Sequence, residues 1–128
     1  MTKVGLTVVR PDAESSLSPQ FGLAGWVLIC STDGREPILE RNSLLYGMGV
    51  IDILERHRCT DAIFFDIGQG ALEALKAAGI RAWCGPEGVP AVQLIERLKR
   101  GELKKAGKNA CDHWTDARKL VRATKSRT

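Results

Sequence analysis

A mixed α/β fold, five strands with helices on both faces of one sheet, is predicted by three features of the sequence. Phe64–Gly79 reads as the end of a buried strand, a glycine turn and a short amphipathic helix. Ala24–Cys30 and Glu36–Arg41 read as two strands joined through Asp33-Gly34, a hairpin signal. The element order along the whole chain is then β-β-β-α-β-α-β-α, a hairpin of strands followed by two βα crossovers.

Each element has its own justification. Lys3–Arg10 holds Val4, Leu6, Val8 and Val9, a β-branched first strand, and Pro11–Pro19 follows as a polar loop. Ala24–Cys30 is a well-buried second strand. Glu36–Arg41 returns as a third, placed at an edge because Pro37 cannot donate to a ladder. Tyr46–Arg58 is the first helix, with Met48, Val50, Ile51, Ile53 and Leu54 inward. Gly47 and Gly49 weaken its first turn by about 1 kcal/mol each relative to Ala, which suggests a close approach there. Ala62–Phe65 with Ile67 is a strand covered on both faces. After the Gly68-Gln69-Gly70 turn, Ala71, Leu72, Leu75 and Ala78 recur at helical spacing, and Gly79 stands at the C-cap. Ile80–Cys84 is the fifth strand, and Pro90–Arg100 a last helix closed by Gly101.

At 128 residues, 44% hydrophobic and 27% charged, the chain suits one soluble domain. No 18-residue apolar stretch exists, and the first apolar run stops at Arg10, so a strand is expected there and no membrane anchor or signal peptide. Charge is polarised. Residues 1–96 carry 8 Lys and Arg against 12 Asp and Glu, a net of −4; residues 97–128 carry 11 against 3, a net of +8. Such a tail can meet an acidic partner or remain solvated. Only Trp114 could stack a base in it, so nucleic acid is not the expected partner. Cys30, Cys59, Cys84 and Cys111 contain no Cys-x-x-Cys, and reduced thiols of a cytoplasmic protein are expected.

The sequence offers residues for several chemistries. Gly68-Gln69-Gly70 begins like a dinucleotide fingerprint, but Glu73 occupies the third glycine position. Ribonuclease-H-like sheets share this element order; their metal chemistry needs carboxylates at strand ends, and only Asp66 is offered. His57 lies between Arg56 and Arg58 on a solvated helix end. Cys111-x-His113 joins a thiol to an imidazole, the ligand types that iron and iron–sulfur centres take, and Cys84 ends a strand on the ligand-facing side. Cys30 and Cys59 read as buried small hydrophobes.

Four ordered stretches resemble the dinitrogenase iron–molybdenum cofactor biosynthesis family, the NifX-like proteins. They are Ser18-Pro19-Gln20-Phe21-Gly22, Ile67-Gly68-Gln69-Gly70-Ala71, Ala74-Leu75-Lys76-Ala77-Ala78-Gly79-Ile80 and Gly101-Glu102-Leu103, and the likeness spans roughly residues 3–113. The resemblance implies a ribonuclease-H-like domain over residues 1–104, a basic flexible tail over 105–128, and no enzymatic activity. It implies a carrier of iron–sulfur or molybdenum–iron–sulfur clusters or their precursors, with a tie to nitrogen fixation. Ser18, Gln20, Phe21, Gly22, Gly68, Gly70 and Cys84 would contact the cofactor, and Cys111 and His113 would ligate metal. Gln20 stands where the family commonly has His, and Asp66 where it often has a small residue. The alternative is an interaction module that docks through the basic tail on a metalloenzyme or assembly partner.

Overall fold

The order of elements in this computed structural model is β1 (Lys3–Val8), β2 (Trp26–Ser31), β3 (Ile38–Arg41), α1 (Gly47–Arg56), β4 (Asp61–Phe64), α2 (Gln69–Ala77), β5 (Arg81–Cys84), α3 (Ala91–Lys99) and β6 (Lys104–Lys105). The described residues are 2–12, 14–19, 21, 24–43 and 47–106. All strands join one mixed sheet in the order β3-β2-β1-β4-β5-β6. The strand β1 is central because it is apolar on both sides: it pairs antiparallel with β2, with Leu6 opposite Leu28, and parallel with β4, with Leu6 opposite Ile63. Further parallel pairing places Phe64 beside Cys84, so β1, β4 and β5 present their carboxyl ends along one edge of the sheet.

Strand alternation divides the core into two layers. Val27, Ile29, Ala62, Phe64, Ala82 and Cys84 pack under α1 and α2, whereas Val4, Leu6, Val8, Leu28, Cys30 and Ile63 pack under α3. The approach of α1 is set by Gly5. A Cβ there would run into the Leu54 side chain and lie 3.6 Å from Cys59 Sγ. Gly79, at φ 76°, closes α2 in the left-handed region, and its N–H donates to the Lys76 carbonyl.

Met48, expected to face inward on α1, is 56% exposed, and two further features differ from the sequence expectation. The sheet has six strands rather than five, because Lys104–Lys105 pairs antiparallel with β5 and the Ala106 N–H donates to the Ala82 carbonyl at 2.9 Å. Ala106 is buried in the α1/α2 layer, so the packed core runs past the expected start of the tail. Also, the strand carboxylate is Asp61 and not Asp66, which lies beyond the end of β4. Asp61 is 3% exposed and accepts from Arg81 Nε at 2.8 Å, Arg81 Nη2 at 3.1 Å, Trp83 Nε1 at 3.0 Å and Thr60 Oγ1 at 3.0 Å. With four donors around it, Asp61 clamps the starts of β4 and β5 and is left no role at the opposite edge.

Candidate functional site

The loop after β1 crosses the carboxyl edge of the sheet, and two of the backbone bonds that hold it bear on the site. The Ser18 N–H donates to the Thr7 carbonyl at 2.8 Å, and the Phe21 N–H donates to the Asp66 carbonyl at 3.2 Å. The two stretches singled out in the sequence, around Phe21 and around Gly68, are therefore joined directly. The Phe21 ring, 2% exposed, meets Phe64 edge to face at a centroid distance of 5.5 Å. Helix α1 begins at the same place: a Cβ on Gly47 would lie 3.8 Å from Ala71 Cβ and 3.9 Å from Phe21 Cδ2. Gln20 and Gly22 lie outside the described residues.

Gly68 and Gly70 are not required by the turn they occupy. Gly68 has φ −74° and ψ 156°, an ordinary extended conformation, and Gly70 is helical without positive φ. Beyond its own chain neighbours and helix backbone, neither would meet an atom of the described residues within 4 Å if it carried a Cβ. A glycine costs up to about 0.5–1 kcal/mol relative to Ala inside a helix and less in the first turn, so Gly70, the second residue of α2, lowers stability modestly with no packing in return. What the two glycines do provide is a bare approach to the start of α2, whose N-cap Gly68 makes no side-chain capping bond and whose first turn contains no acid. The exposed donors and the positive end of the dipole suit an anion. By contrast, the start of α3 is covered, since the Ala91 N–H donates to the Ser15 carbonyl at 2.9 Å.

Thr7 was not singled out in the sequence, where it reads as one more β-branched strand residue. It is 2% exposed, and its Oγ1 is buried with no hydrogen-bond partner among the described residues. Leu6 and Val8 face α3, so alternation turns Thr7 to the α1/α2 face, opposite Val27 on β2 and one residue beyond the Leu6–Ile63 pair with β4. An unsatisfied buried hydroxyl costs about 1–3 kcal/mol. A Thr amid the Val and Leu of a central strand was the signal available beforehand.

The thiols divide clearly. Cys30 and Cys59 are free, each 6% exposed, and burial pushes both up to about 11, so neither supplies a thiolate near neutral pH. Cys84, at the end of β5 and 2% exposed, is disulfide-bonded, against the expectation of four reduced thiols. Cys111 and His113 lie outside the described residues, among which no three His, Cys, Asp or Glu side chains gather to hold a metal. His57 is less solvated than expected: its Nε2 is 3.1 Å from Glu40 Oε1, and Arg56 forks onto the same carboxylate at 3.1 and 3.3 Å. That pairing occupies the far end of α1, roughly 15 Å from Gly47.

No family model matches the chain, and no curated protein matches it. Solved structures do. The apo form of the orange protein from Desulfovibrio gigas superposes with a TM-score of 0.77 at 21% identity, over 84% of this chain and 94% of that one. A Thermotoga protein provisionally assigned as NifB gives 0.72 at 24% identity, over 82% and 93%. A Methanocaldococcus jannaschii protein provisionally assigned as a dinitrogenase gives 0.65 at 18%, over 84% and 95%. The chain is similar to these proteins in fold and nearly equal to them in span. No helix among the described residues is long and apolar enough to cross a membrane.

Proposed function

We propose that this chain is a non-catalytic, NifX-like carrier of a metal–sulfur cofactor or its precursor, bound at the carboxyl edge of the sheet. The observation that supports this most is the Phe21–Asp66 backbone bond, which unites the two loops beside an uncapped α2 start stripped of side chains at Gly68 and Gly70. Donors without carboxylate caps suit the anionic surface of a sulfide-bridged cluster. The fold shared with the orange protein and with proteins assigned to NifB and dinitrogenase is in keeping with such cargo.

In this reading Ser18, Gln20, Phe21 and Gly22 contact the cofactor from one stretch of the chain and Gly68 and Gly70 from another, together with Cys84. Under reducing conditions Cys111 and His113 supply the soft ligands and Cys84 joins them, since Cys84 is otherwise held in a disulfide. The protein holds its cargo for a cofactor-assembly or metalloenzyme partner and catalyses nothing itself.

The test is anaerobic reconstitution, under a thiol reductant, with iron and sulfide and then molybdate. Stoichiometric metal and thiolate-to-metal charge-transfer bands in the wild type, both lost in a Cys111→Ser/His113→Ala variant, are expected. Metal retained by that variant would remove the two ligands from the account. Absence of metal in both proteins would overturn the carrier.

A further inference from the structure

The two edges of the sheet differ. The strand β6 is two exposed lysines, a short and charged edge that repels a second strand. The strand β3, at the other edge, carries apolar side chains into water. Ile38 is 43% and Leu39 37% exposed, two of the four large apolar side chains exposed among the described residues. Its main chain is open as well. The Asn42 N–H donates to the Gly25 carbonyl at 2.9 Å, so antiparallel alternation turns the N–H and C=O of Ile38 and Glu40 toward β2 and those of Leu39 and Arg41 outward. Glu36 and Arg41 make no ion pair among the described residues, whereas Arg56 meets both Glu40 and Asp52.

We propose that a second copy of this chain pairs antiparallel along β3 about a two-fold axis at Leu39, joining two six-stranded sheets into one. The strand is self-complementary in that register. Leu39 exchanges both main-chain bonds with Leu39 of the second copy, and each outward Arg41 N–H donates to a Pro37 carbonyl. An axis at Glu40 would oppose two carboxylates, and one at Ile38 would set Leu39 against Pro37, which has no N–H to return. The Leu39 side chains meet on the α3 face, where Leu39 lies opposite Leu28. Each Arg41 comes beside Glu36 of the second copy, the partner that both charges lack. The strands run oppositely across the axis, so both carboxyl edges stay open and both β6 strands lie at the outer edges of the joined sheet. A four-residue strand makes a small interface, and the dimer is accordingly weak.

The test follows the mass of the full chain by sedimentation equilibrium from about 10 μM to about 1 mM, the range in which a small interface holds. The wild type is expected to rise toward twice the monomer mass. Leu39→Pro removes an N–H that β2 does not use, so it should remain folded by circular dichroism and stay monomeric. Arg41→Glu should weaken the dimer about tenfold, and Glu36→Arg/Arg41→Glu, which restores the opposite charges, should return it near wild type. The charge-reversal pair decides the matter if Leu39→Pro does not fold. A wild type that stays monomeric over the whole range would overturn the proposal. A dimer that survives Leu39→Pro lies on another face and would overturn it too, and a loss in Arg41→Glu that the double variant does not recover would overturn the register. A monomeric wild type that binds a peptide of residues 36–42 would give the edge to a partner strand instead of a second copy.

Discussion

Phe21 and Phe64 meet edge to face, with ring centroids 5.5 Å apart and planes at 84°. One ring belongs to a loop and the other to the end of a central strand, so the contact seats the loop on the sheet and defines the floor of the candidate site. Phe21→Leu keeps the position apolar but removes the aromatic pair. It is expected to lower stability by about 1–2 kcal/mol in denaturant titration. It should also change the near-ultraviolet dichroism that the ring pair contributes.

Gly68 and Gly70 separate stability from function. Gly70→Ala fits without a contact inside 4 Å and adds helix propensity in the first turn, so it should stabilise the unliganded protein by up to about 0.5 kcal/mol. A methyl at each position narrows the approach to the α2 start. The Gly68→Ala/Gly70→Ala variant is therefore expected to unfold at higher denaturant yet retain less metal after reconstitution. Loss of stability in Gly70→Ala would show instead that the turn needs its glycine.

Gly5 behaves oppositely. Its missing side chain is filled by Leu54, so Gly5→Ala forces β1 and α1 apart and should destabilise by about 1–3 kcal/mol. Pairing it with Leu54→Ala should recover part of the loss, a coupling that a double-mutant cycle measures.

Glu40 sets a dependence on pH. Hydrogen bonding from His57, and then from Arg56, holds its carboxyl below the ordinary value of 4.5. A carboxyl depressed in the folded state contributes stability that is fully present above its unfolded value and is lost as pH falls through its folded value. The wild type should accordingly lose stability more steeply than Glu40→Gln below about pH 4.5, and the two slopes should converge above it. Parallel slopes throughout would mean that the His57–Glu40–Arg56 cluster does not form in solution.

The layers of the fold were legible because burial imposes period on a sequence. The continuous apolar run of β1, the Asp33-Gly34 hairpin and the helical spacing of α2 each read directly. The strand β6 did not, since two exposed lysines have no period and join the sheet through backbone bonds to β5 alone. Asp61 was missed because its burial depends on Arg81 and Trp83, about 20 residues away in sequence and adjacent only across the β4–β5 register. At the candidate site, the glycines were visible, but their lack of structural need was not; that required the φ of Gly68 and the empty space around both positions. Thr7 was hidden for a similar reason, because the absence of a partner is a property of packed neighbours.

The central claim is that an anionic metal–sulfur ligand binds at the carboxyl edge of the sheet. Amide chemical shifts of the isotopically labelled full chain, followed during titration with tetrathiomolybdate, test it most directly. The account predicts saturable shifts at Phe21, Gly47 and Gly68–Ala71, with Arg97–Gly101 unmoved. Shifts confined to the basic residues from Arg97 onward, or none at any concentration, would contradict it.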